Sequence, residues 1–462
     1  METKREETSN MNTTTYIQQT SDKEFVFNNV DVSIVNGLRR ILLSELPHIA
    51  FDAVENNNNT NIEHNTGSLY NELIVNRLAL IPLNTVLNIC TIKTQWNSTK
   101  SLRECLFLEP EKVPKFRLDK INSDINYNNK GENGIDVTAE NFEYVPTLEQ
   151  ERALYANIEK QIFHKDAVTG DHCLLTILQP SMSNDETEFQ RLAVNAVPVV
   201  GQGKKHASFS QVGTVLMEFL QDQTVHESMF QKKLEEINVE RETKGRTRLS
   251  KEETPNDYNA QRMIFNTIDK QRYYHTNQYN EPNQIKLTIE SVNSKKSNQL
   301  LFDAIQWAHL MLDDIYNELN NDTTEKIKYS HKESMDRSVN IHFEDYGHTI
   351  ANILSTCCQQ LYMDNRVVSS TIGKCLQFAS YRVPHPLYKA MEIHFQFDTQ
   401  LNLEELYDEV NATLHRKKTD ILPFSQKELS KVLLQNCIRY IQTKYLDTFK
   451  NALSISTTSY QY

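Results

Sequence analysis

Two amphipathic helical stretches, one near each end of the chain, constrain the fold most strongly. The first lies in "VDVSIVNGLRRILLSELP", and its apolar stripe comprises Ile34, Val35, Leu38, Ile41, Leu42 and Leu46. The second lies in "GHTIANILSTCCQQLYMD", and its stripe comprises Ile350, Ile353, Leu354, Cys357, Cys358 and Leu361. This spacing predicts helices with one apolar face each, and each face needs another element to cover it.

Strand-like alternation follows both helices. Pro47 ends the first helix, and "HIAFDAV" then places Ile49, Phe51 and Ala53 on one face. In "MEIHFQF" near the other end, apolar and polar residues alternate from Glu392 to Phe397. A long amphipathic helix closes each half, "QLLFDAIQWAHLMLDDIYNEL" in the first and "SQKELSKVLLQNCIRYIQTKYLDTFKNAL" in the second. These parts predict an α+β fold whose halves could pack helix against helix as a pseudo-symmetric pair.

Size and charge restrict the class of protein. A chain of 462 residues has room for two to four domains. Its net charge of −12 argues against autonomous DNA binding, because phosphate contacts need a basic surface, and it leaves protein partners open. No run of about 18 apolar residues predicts a membrane span, and the polar N-terminus lacks the apolar core of a signal peptide.

Motifs that carry chemistry are missing from the sequence. The seven cysteines form no C-x-x-C pair, which favours free thiols in a reducing compartment over a zinc site. The chain has no phosphate-binding glycine loop, no G-x-S-x-G elbow and no H-E-x-x-H helix. "GQGKKHASF" is predicted to be a structural or interface loop. We therefore expect no catalytic residue, no metal and no cofactor.

His385 in "YRVPHPL" allows two interpretations. Pro384 and Pro386 disfavour helix in the residues before them, so the stretch is a stiff corner entering the next strand. An isolated histidine there is more often a structural hydrogen-bonding group than a catalytic one. The off-stripe arginines Arg39 and Arg40, and also Arg77, fit a solvated face and a partner-binding role equally well.

Several stretches together resemble one family. "VNGLRRILLSELPHIAFDAVE", "NELIVNRLALIPLN" and "GQGKKHASFSQVG" are similar, in order, to the signature segments of alpha-like RNA polymerase subunits. This family includes the bacterial alpha N-terminal domain, the archaeal D subunit and the third-largest subunit of RNA polymerase II. "FEDYGHTIANIL" and "FASYRVPHPL" resemble its smaller partner, the archaeal L subunit or the eleventh-largest subunit.

The resemblance implies two related dimerisation domains fused into an intramolecular pseudo-heterodimer. The first would be interrupted by an inserted, mostly-β domain with a charged extension, 221–282, which has no counterpart in the family and looks partly helical and partly disordered. The expected boundaries are a disordered tail at 1–20, a first domain at 21–85 and 284–320, the insert at 86–283, a linker at 321–338 and a second domain at 339–462. Covalent fusion would raise the effective concentration of the halves and fix their stoichiometry.

The resemblance also implies site residues. The expected partner-interface residues are Arg39, Arg40, Arg77, Lys204, Lys205, His206 and His385. The expected internal dimer seam comprises Leu38, Leu42, Ile350, Ile353 and Leu354. Two departures stand out: Asn76 and Ala79 replace the usual histidine and glycine at a turn, and Cys90, Cys105 and Cys173 cannot form the cysteine cluster common in the insert.

The function implied is that of a noncatalytic assembly platform in a multisubunit DNA-dependent RNA polymerase. Its partners would be the two largest subunits and small polymerase subunits, with no membrane and no sequence-specific DNA contact. The fusion resembles that in polymerases of some large DNA viruses, which implies an intracellular location in host cytoplasm or virion, with the nucleus open. The alternatives are an α+β interaction scaffold outside transcription and a hydrolase or transferase that uses His385 or His206.

Overall fold

The structure is a computed structural model, and it describes most of the chain. The described residues are 16–51, 59–84, 115–124, 134–145, 158–166, 168–182, 185–292, 295–321, 326–330, 337–364, 366, 371–413 and 424–457. Their helices are α1 (Val32–Arg40), α2 (Asn71–Ala79), α3 (Ile158–Ile162), α4 (Gln223–Thr243), α5 (Pro255–Ile268), α6 (Ser297–Asn320), α7 (His348–Tyr362), α8 (Leu403–Thr413), α9 (Gln426–Ile441) and α10 (Asp447–Thr457).

The described strands belong to both halves of the chain. They are β1 (Ile17–Gln19), β2 (Glu24–Asn28), β3 (Pro47–Phe51), β4 (Thr60–Asn65), β5 (Lys115–Asn122), β6 (Ile135–Thr138), β7 (Glu143–Val145), β8 (Leu174–Leu178), β9 (Gln190–Ala196), β10 (Pro198–Gln202), β11 (Val212–Phe219), β12 (Gln284–Ser291), β13 (Ile327–Ser330), β14 (Ser338–Glu344), β15 (Leu376–Arg382) and β16 (Ala390–Phe397). The mixed helix and sheet content agrees with the predicted α+β class.

The chain divides into two compact units. The first takes its described residues from 1–39, 216–288 and 326–462, and the second from 40–215 and 289–325. The first unit contains the sheet β13-β14-β16-β15, whose strands are antiparallel, and most of the sheet β1-β2-β12-β11. Elements from both ends of the sequence therefore lie in one unit.

The two helices that open the halves form as their stripes predict. All six stripe residues of the first stretch are buried, and all six of the second are buried. The Asp31 carboxylate begins α1 by accepting the Ser33 N–H at 2.7 Å, which satisfies one of the free donors of a helix start. After Arg40 the chain continues as a π-helical turn, Ile41–Glu45, and leaves the helical conformation before Pro47.

The second half follows the predicted alternation. Ile393, Phe395 and Phe397 are buried on one face of β16, while the residues between them are partly exposed. The cysteines Cys357 and Cys358 are buried against α9, where the Cys437 thiol lies 3.7 Å from the Leu354 carbonyl oxygen. They act there as small apolar residues, as expected.

The second unit consists of residues 40–215 and 289–325, and its apolar core lies between residues 49 and 196. Its sheet β4-β9-β5-β7 packs with α2, β3 and the pair β6-β8 around one apolar core. Four rings lie at its centre: Phe51, Phe116, Phe142 and Phe163. β3 is buried along all five residues and pairs with β10, so it lacks the polar face that alternation predicts.

Three expectations about irregular segments need correction. Strand β1 lies inside the predicted tail 1–20 and pairs with β2, while residues 1–15 lie outside the described part. Strand β13 lies inside the predicted linker 321–338 and extends the sheet of the second half. In the charged segment 221–282, α4 and α5 pack around Phe230, Leu234, Leu249 and Phe265. Only the predicted helical part of that segment is confirmed.

Candidate protein-interaction surface

The candidate surface lies around the carboxyl end of the first helix, residues 40–46, in the second unit. The π-helical turn is held by the Leu46 N–H, which donates to the Ile41 carbonyl at 3.1 Å. The Ser44 hydroxyl donates to the Arg40 carbonyl at 2.8 Å. A helix end exposes carbonyl groups that lack partners within the helix, so the carbonyls of Ser44 and Glu45 need donors from elsewhere.

The loop "GQGKKHASF", residues 201–209, supplies those donors. The Lys204 N–H donates to the Ser44 carbonyl at 3.0 Å, and the Gln202 side chain donates to the Glu45 carbonyl at 2.6 Å. The Lys204 ammonium also lies 2.6 Å from the Glu45 carboxylate. Gly203 allows this approach, because a Cβ there would lie 2.5 Å from the Leu43 carbonyl oxygen. The loop is therefore docked on the helix end and does not resemble a phosphate cradle.

His206 caps the short helical turn that follows. Its Nδ1 accepts the Ser208 N–H at 3.2 Å and lies 2.9 Å from the Ser208 hydroxyl. The Phe209 ring covers Gly201, where a Cβ would lie 2.7 Å from the ring. The Lys205 ammonium lies 5.8 Å from the centre of that ring. These contacts give His206 a structural hydrogen-bonding role.

Helix α2 contributes an outward face. Leu73, Arg77 and Leu80 are spaced to lie on one side of the helix and its end, and Leu73 and Leu80 are 48% and 55% exposed. Arg77 is exposed, and it donates one guanidinium N–H to the Leu175 carbonyl at 2.7 Å. The turn after α2 forms with Asn76 and Ala79 in place, since the Leu80 N–H donates to the Asn76 carbonyl at 3.3 Å.

A cavity of about 370 Å³ lies beside the docked loop within the second unit. Its apolar lining consists of Leu43, Leu80, Pro82, Val212 and Val292, and its polar lining includes His48, Ser208 and Ser210. His48 is buried, and burial, followed by the charge of Lys295, lowers its pKa to about 3. The imidazole is therefore neutral at physiological pH, and the cavity wall carries no charge at that position.

The remaining predicted interface residues are spread over other elements. Arg39 is half-buried and its Nε donates to the Asn36 side chain at 3.0 Å. His385 is exposed at the tip of the β15–β16 hairpin, and its Nδ1 accepts the Leu387 N–H at 3.2 Å. Next to it Leu387 and Tyr388 are 85% and 71% exposed. The tip is therefore an apolar surface feature, and His385 faces solvent.

The predicted seam residues lie in the core. Leu38, Leu42, Ile350, Ile353 and Leu354 are all at most 4% exposed. Within the first unit, α1 and α7 approach so closely at Gly37 that a Cβ there would lie 2.5 Å from the Ile353 Cδ1 atom. The Gln360 side chain donates to the Asp31 carboxylate at 2.6 Å. The start of the chain thus contacts the second half through α1.

The last helix adds to this contact. The Phe27 and Phe449 rings meet edge to face with their centres 5.4 Å apart, and those of Tyr16 and Tyr445 are 6.4 Å apart. Sequence reasoning missed Gly37, Phe27 and Phe449 as contact residues. A glycine inside a strong apolar stripe is the one signal that could have indicated a close helix crossing, because glycine is otherwise unfavourable within a helix.

The described residues offer little for metal chemistry. Across the described ranges, no group of three or more histidine, cysteine or acidic side chains could hold a metal ion. Cys173 is exposed, whereas Cys90 and Cys105 lie outside the described residues. In the same part of the chain, no helix combines the length and apolar character that a bilayer crossing requires.

Comparison with known proteins identifies the family. Residues 24–307, more than half of the chain, match the RNA polymerase Rpb3/Rpb11 dimerisation domain. The chain is 24% identical over 318 residues to DNA-directed RNA polymerases II, IV and V subunit 3 of Arabidopsis thaliana, which covers 65% of this chain and 88% of that protein.

Two shorter matches are stronger in identity. DNA-directed RNA polymerase subunit Rpo3 of Thermococcus kodakarensis is 44% identical over 62 residues, which is 13% of this chain and 22% of that protein. A conjugation stage-specific protein of Tetrahymena thermophila is 47% identical over 62 residues, 13% of this chain and 18% of its own length. These two alignments span less than a quarter of each relative. The chain belongs to the RNA polymerase Rpb3/Rpb11 dimerisation domain family.

Proposed function

We propose that this chain is a noncatalytic assembly subunit of a multisubunit DNA-dependent RNA polymerase and carries both partners of an alpha-like pair in one polypeptide. One observation carries the proposal. Helix α1, inside the matched residues 24–307, packs on α7, which lies outside them, with Gly37 against Ile353. A helix of the same chain that packs on α1 at Gly37 would take the place of a helix from a separate dimerising subunit.

The pairing of β2 with β12 supports a discontinuous first domain. Glu24–Asn28 lies beside Gln284–Ser291 in one sheet, so the chain leaves this domain and returns to it. The first domain is proposed at 21–85 plus 284–320, with 86–283 inserted, and β1 adds a strand ahead of residue 21. The second domain, proposed at 339–462, gains β13 as an edge strand ahead of that boundary.

The surface around the cavity is proposed to receive a large catalytic subunit. Leu80 is exposed and lines a cavity large enough for an apolar side chain of a partner. Gly203 of the lining is followed by Lys204, which is paired with Glu45, and by Lys205. Protein interfaces commonly have an apolar centre within a polar rim. Arg40, Arg77 and His206 of the same unit are proposed to extend this role. Arg39 and His385, which belong to the first unit, are proposed as separate partner contacts.

The names of the polymerase relatives support a role in transcription. No D-x-D-x-D cluster that could hold a catalytic magnesium ion is present in the sequence, so the catalytic residues would lie in another subunit. The viral origin and its cytoplasmic or virion location stay hypotheses, with the nucleus open. The name of the Tetrahymena relative does not refer to transcription, and an interaction scaffold outside transcription is the alternative function.

Capture of the second-largest polymerase subunit tests the docking proposal. The double variant Arg39→Ala plus Arg40→Ala should keep the circular dichroism spectrum of the parent and retain less of that subunit after co-expression. The matched control is Arg117→Ala plus Arg191→Ala, which removes two arginines from the sheet of the insert. Wild-type capture by the Arg39/Arg40 variant would refute the docking role, and failure of the parent to capture either large subunit would favour the alternative function.

A further inference from the structure

A polar contact joins the two halves at a distance from the apolar seam. Arg366 follows α7, and its guanidinium forms two parallel hydrogen bonds with Glu281, at 2.6 and 3.0 Å. The guanidinium carbon lies 4.1 Å from the centre of the Tyr279 ring. Glu281 and Tyr279 belong to the loop 277–281 that precedes β12, so this contact links sequence-distant parts of the first unit.

Hydrogen bonds within the loop 277–281 fix the position of the Glu281 carboxylate. The Asn277 side-chain oxygen accepts the N–H groups of Tyr279 and Glu281 at 2.9 and 3.1 Å. The Asn277 amide also donates to the Glu281 carboxylate at 3.2 Å. Thr276 and Pro282 pair across the base of the loop. Glu281 is thus held in place by its own loop as well as by Arg366.

Arg366 is largely removed from solvent by its partners. Its side chain is 17% exposed, against 41% for Glu281 and 42% for Asp364, which lies 2.7 Å from the same guanidinium. The hydrogen bond from Arg366 is the main cause that holds the pKa of Glu281 below its usual value. Two-bond arginine–carboxylate pairs are stronger and more directional than single ion pairs, and lysine does not reproduce their geometry.

Resting on the proposed function, we propose that Tyr279 and Glu281 form a specificity clasp that selects the second half of this chain, through Arg366, as the partner of the first half. The α1–α7 seam is apolar, and apolar burial is non-directional, so another family helix with a similar stripe could cover α1. A partner without an arginine at this place would leave the Glu281 carboxylate without its main counter-charge. Discrimination between partners commonly depends on such a penalty.

The test uses the full chain with a protease site inserted within residues 322–325, so that cleavage leaves all of the second-half sheet on one fragment. After cleavage the fragments of the parent should stay associated. Arg366→Glu should raise their dissociation rate roughly tenfold or more, because loss of a hydrogen-bonded charge pair acts on dissociation. Glu281→Arg should do the same, and Arg366→Glu combined with Glu281→Arg should restore most of the parent rate.

The control is Arg191→Glu, which breaks a two-bond pair with Asp119 in the second unit and should leave the dissociation rate unchanged. If Arg366→Glu does not fold, Arg366→Lys replaces it, since it keeps the charge but not the two-bond geometry, and a several-fold faster dissociation is expected. Native mass spectrometry of cleaved parent mixed with cleaved, doubly reversed protein should show matched pairs in excess.

The outcomes separate the two hypotheses. Immediate separation of the parent fragments would overturn the intramolecular pairing and with it the proposed function. Stable parent fragments with an Arg366 variant that dissociates at the control rate would overturn the clasp alone. Statistical mixing of halves in the exchange experiment would also overturn the clasp.

Discussion

The close approach of α1 and α7 predicts how Gly37→Ala changes the stability of the chain. A Cβ at Gly37 would lie 2.5 Å from the Ile353 Cδ1 and 3.2 Å from its Cγ1, both shorter than van der Waals contact. In Gly37→Ala the Ile353 side chain must move within a packed core, which costs about 1–3 kcal/mol. Alanine gains about 1 kcal/mol over glycine within a helix. We therefore expect a net loss of about 0–2 kcal/mol.

Ile353→Val removes the Cδ1 atom that causes the overlap. Alone it should cost about 0.5–1.5 kcal/mol, because it leaves a small void. In the double variant the new methyl group occupies part of that void. The double variant should therefore lose about 1 kcal/mol less unfolding free energy than the sum of the two single variants. Urea unfolding of the four proteins, followed by circular dichroism, measures this coupling energy.

Gly213→Ala provides the control for the effect of adding a methyl group. A Cβ at Gly213 would meet the Val292 side chain at 3.6 Å, an ordinary contact, so this variant should change stability little and should not couple to Ile353→Val. Strict additivity of Gly37→Ala and Ile353→Val would refute the packing of α1 on α7 at this point. A loss above 4 kcal/mol on Gly37→Ala, with no rescue, would contradict the reasoning that the Ile353 side chain absorbs the overlap.

Three further predictions concern the loop, the buried histidine and the thiols. Gly203→Ala should destabilise the chain by about 1–3 kcal/mol in urea unfolding, because its Cβ would lie 2.5 Å from a backbone carbonyl. Lys204→Ala should cost under about 1 kcal/mol, because the Lys204 ammonium is partly exposed and water screens its ion pair. The pKa of His48 is depressed from 6.5 to about 3 in the folded chain, so its contribution to stability is full above pH 6.5 and is lost as the pH falls toward 3. Relative to His48→Gln, the parent should therefore lose unfolding free energy between pH 6.5 and 4.5, and parallel pH profiles would contradict this. With a thiol reagent, Cys173→Ser should remove one fast-reacting group and Cys437→Ser none, since only the first of these two thiols is exposed.

Local patterns predicted the elements well where one periodicity dominated. The stripes around Leu38 and Leu354 and the alternation ending at Phe397 correspond to α1, α7 and β16. Periodicity was least informative in the charged segment 221–282. The cluster that holds α4 and α5 together has four buried apolar side chains among many charged residues, so the sequence predicted partial disorder. Short edge strands such as β1 and β13 are stabilised by pairing with β2 and β14, which no local pattern encodes.

The candidate site was predictable in its residue types more than in its contacts. Lys204 and His206 were expected at a partner surface, and the structure shows that their first contacts, with Glu45 and Ser208, hold the loop itself. Gly203 and Arg366 were missed, because their roles depend on residues about 160 and 85 positions away in sequence. Contacts between residues so far apart in sequence are set by the tertiary fold, and local sequence spacing does not predict them.

The stoichiometry of the purified polymerase tests the central claim most directly. Native mass spectrometry of the complex isolated through a tag on this chain should show one copy of the chain together with the two largest subunits and no separate small dimerising subunit. A complex that contains a second copy of this chain, or a separate partner of the Rpb11 type bound to it, would contradict the account.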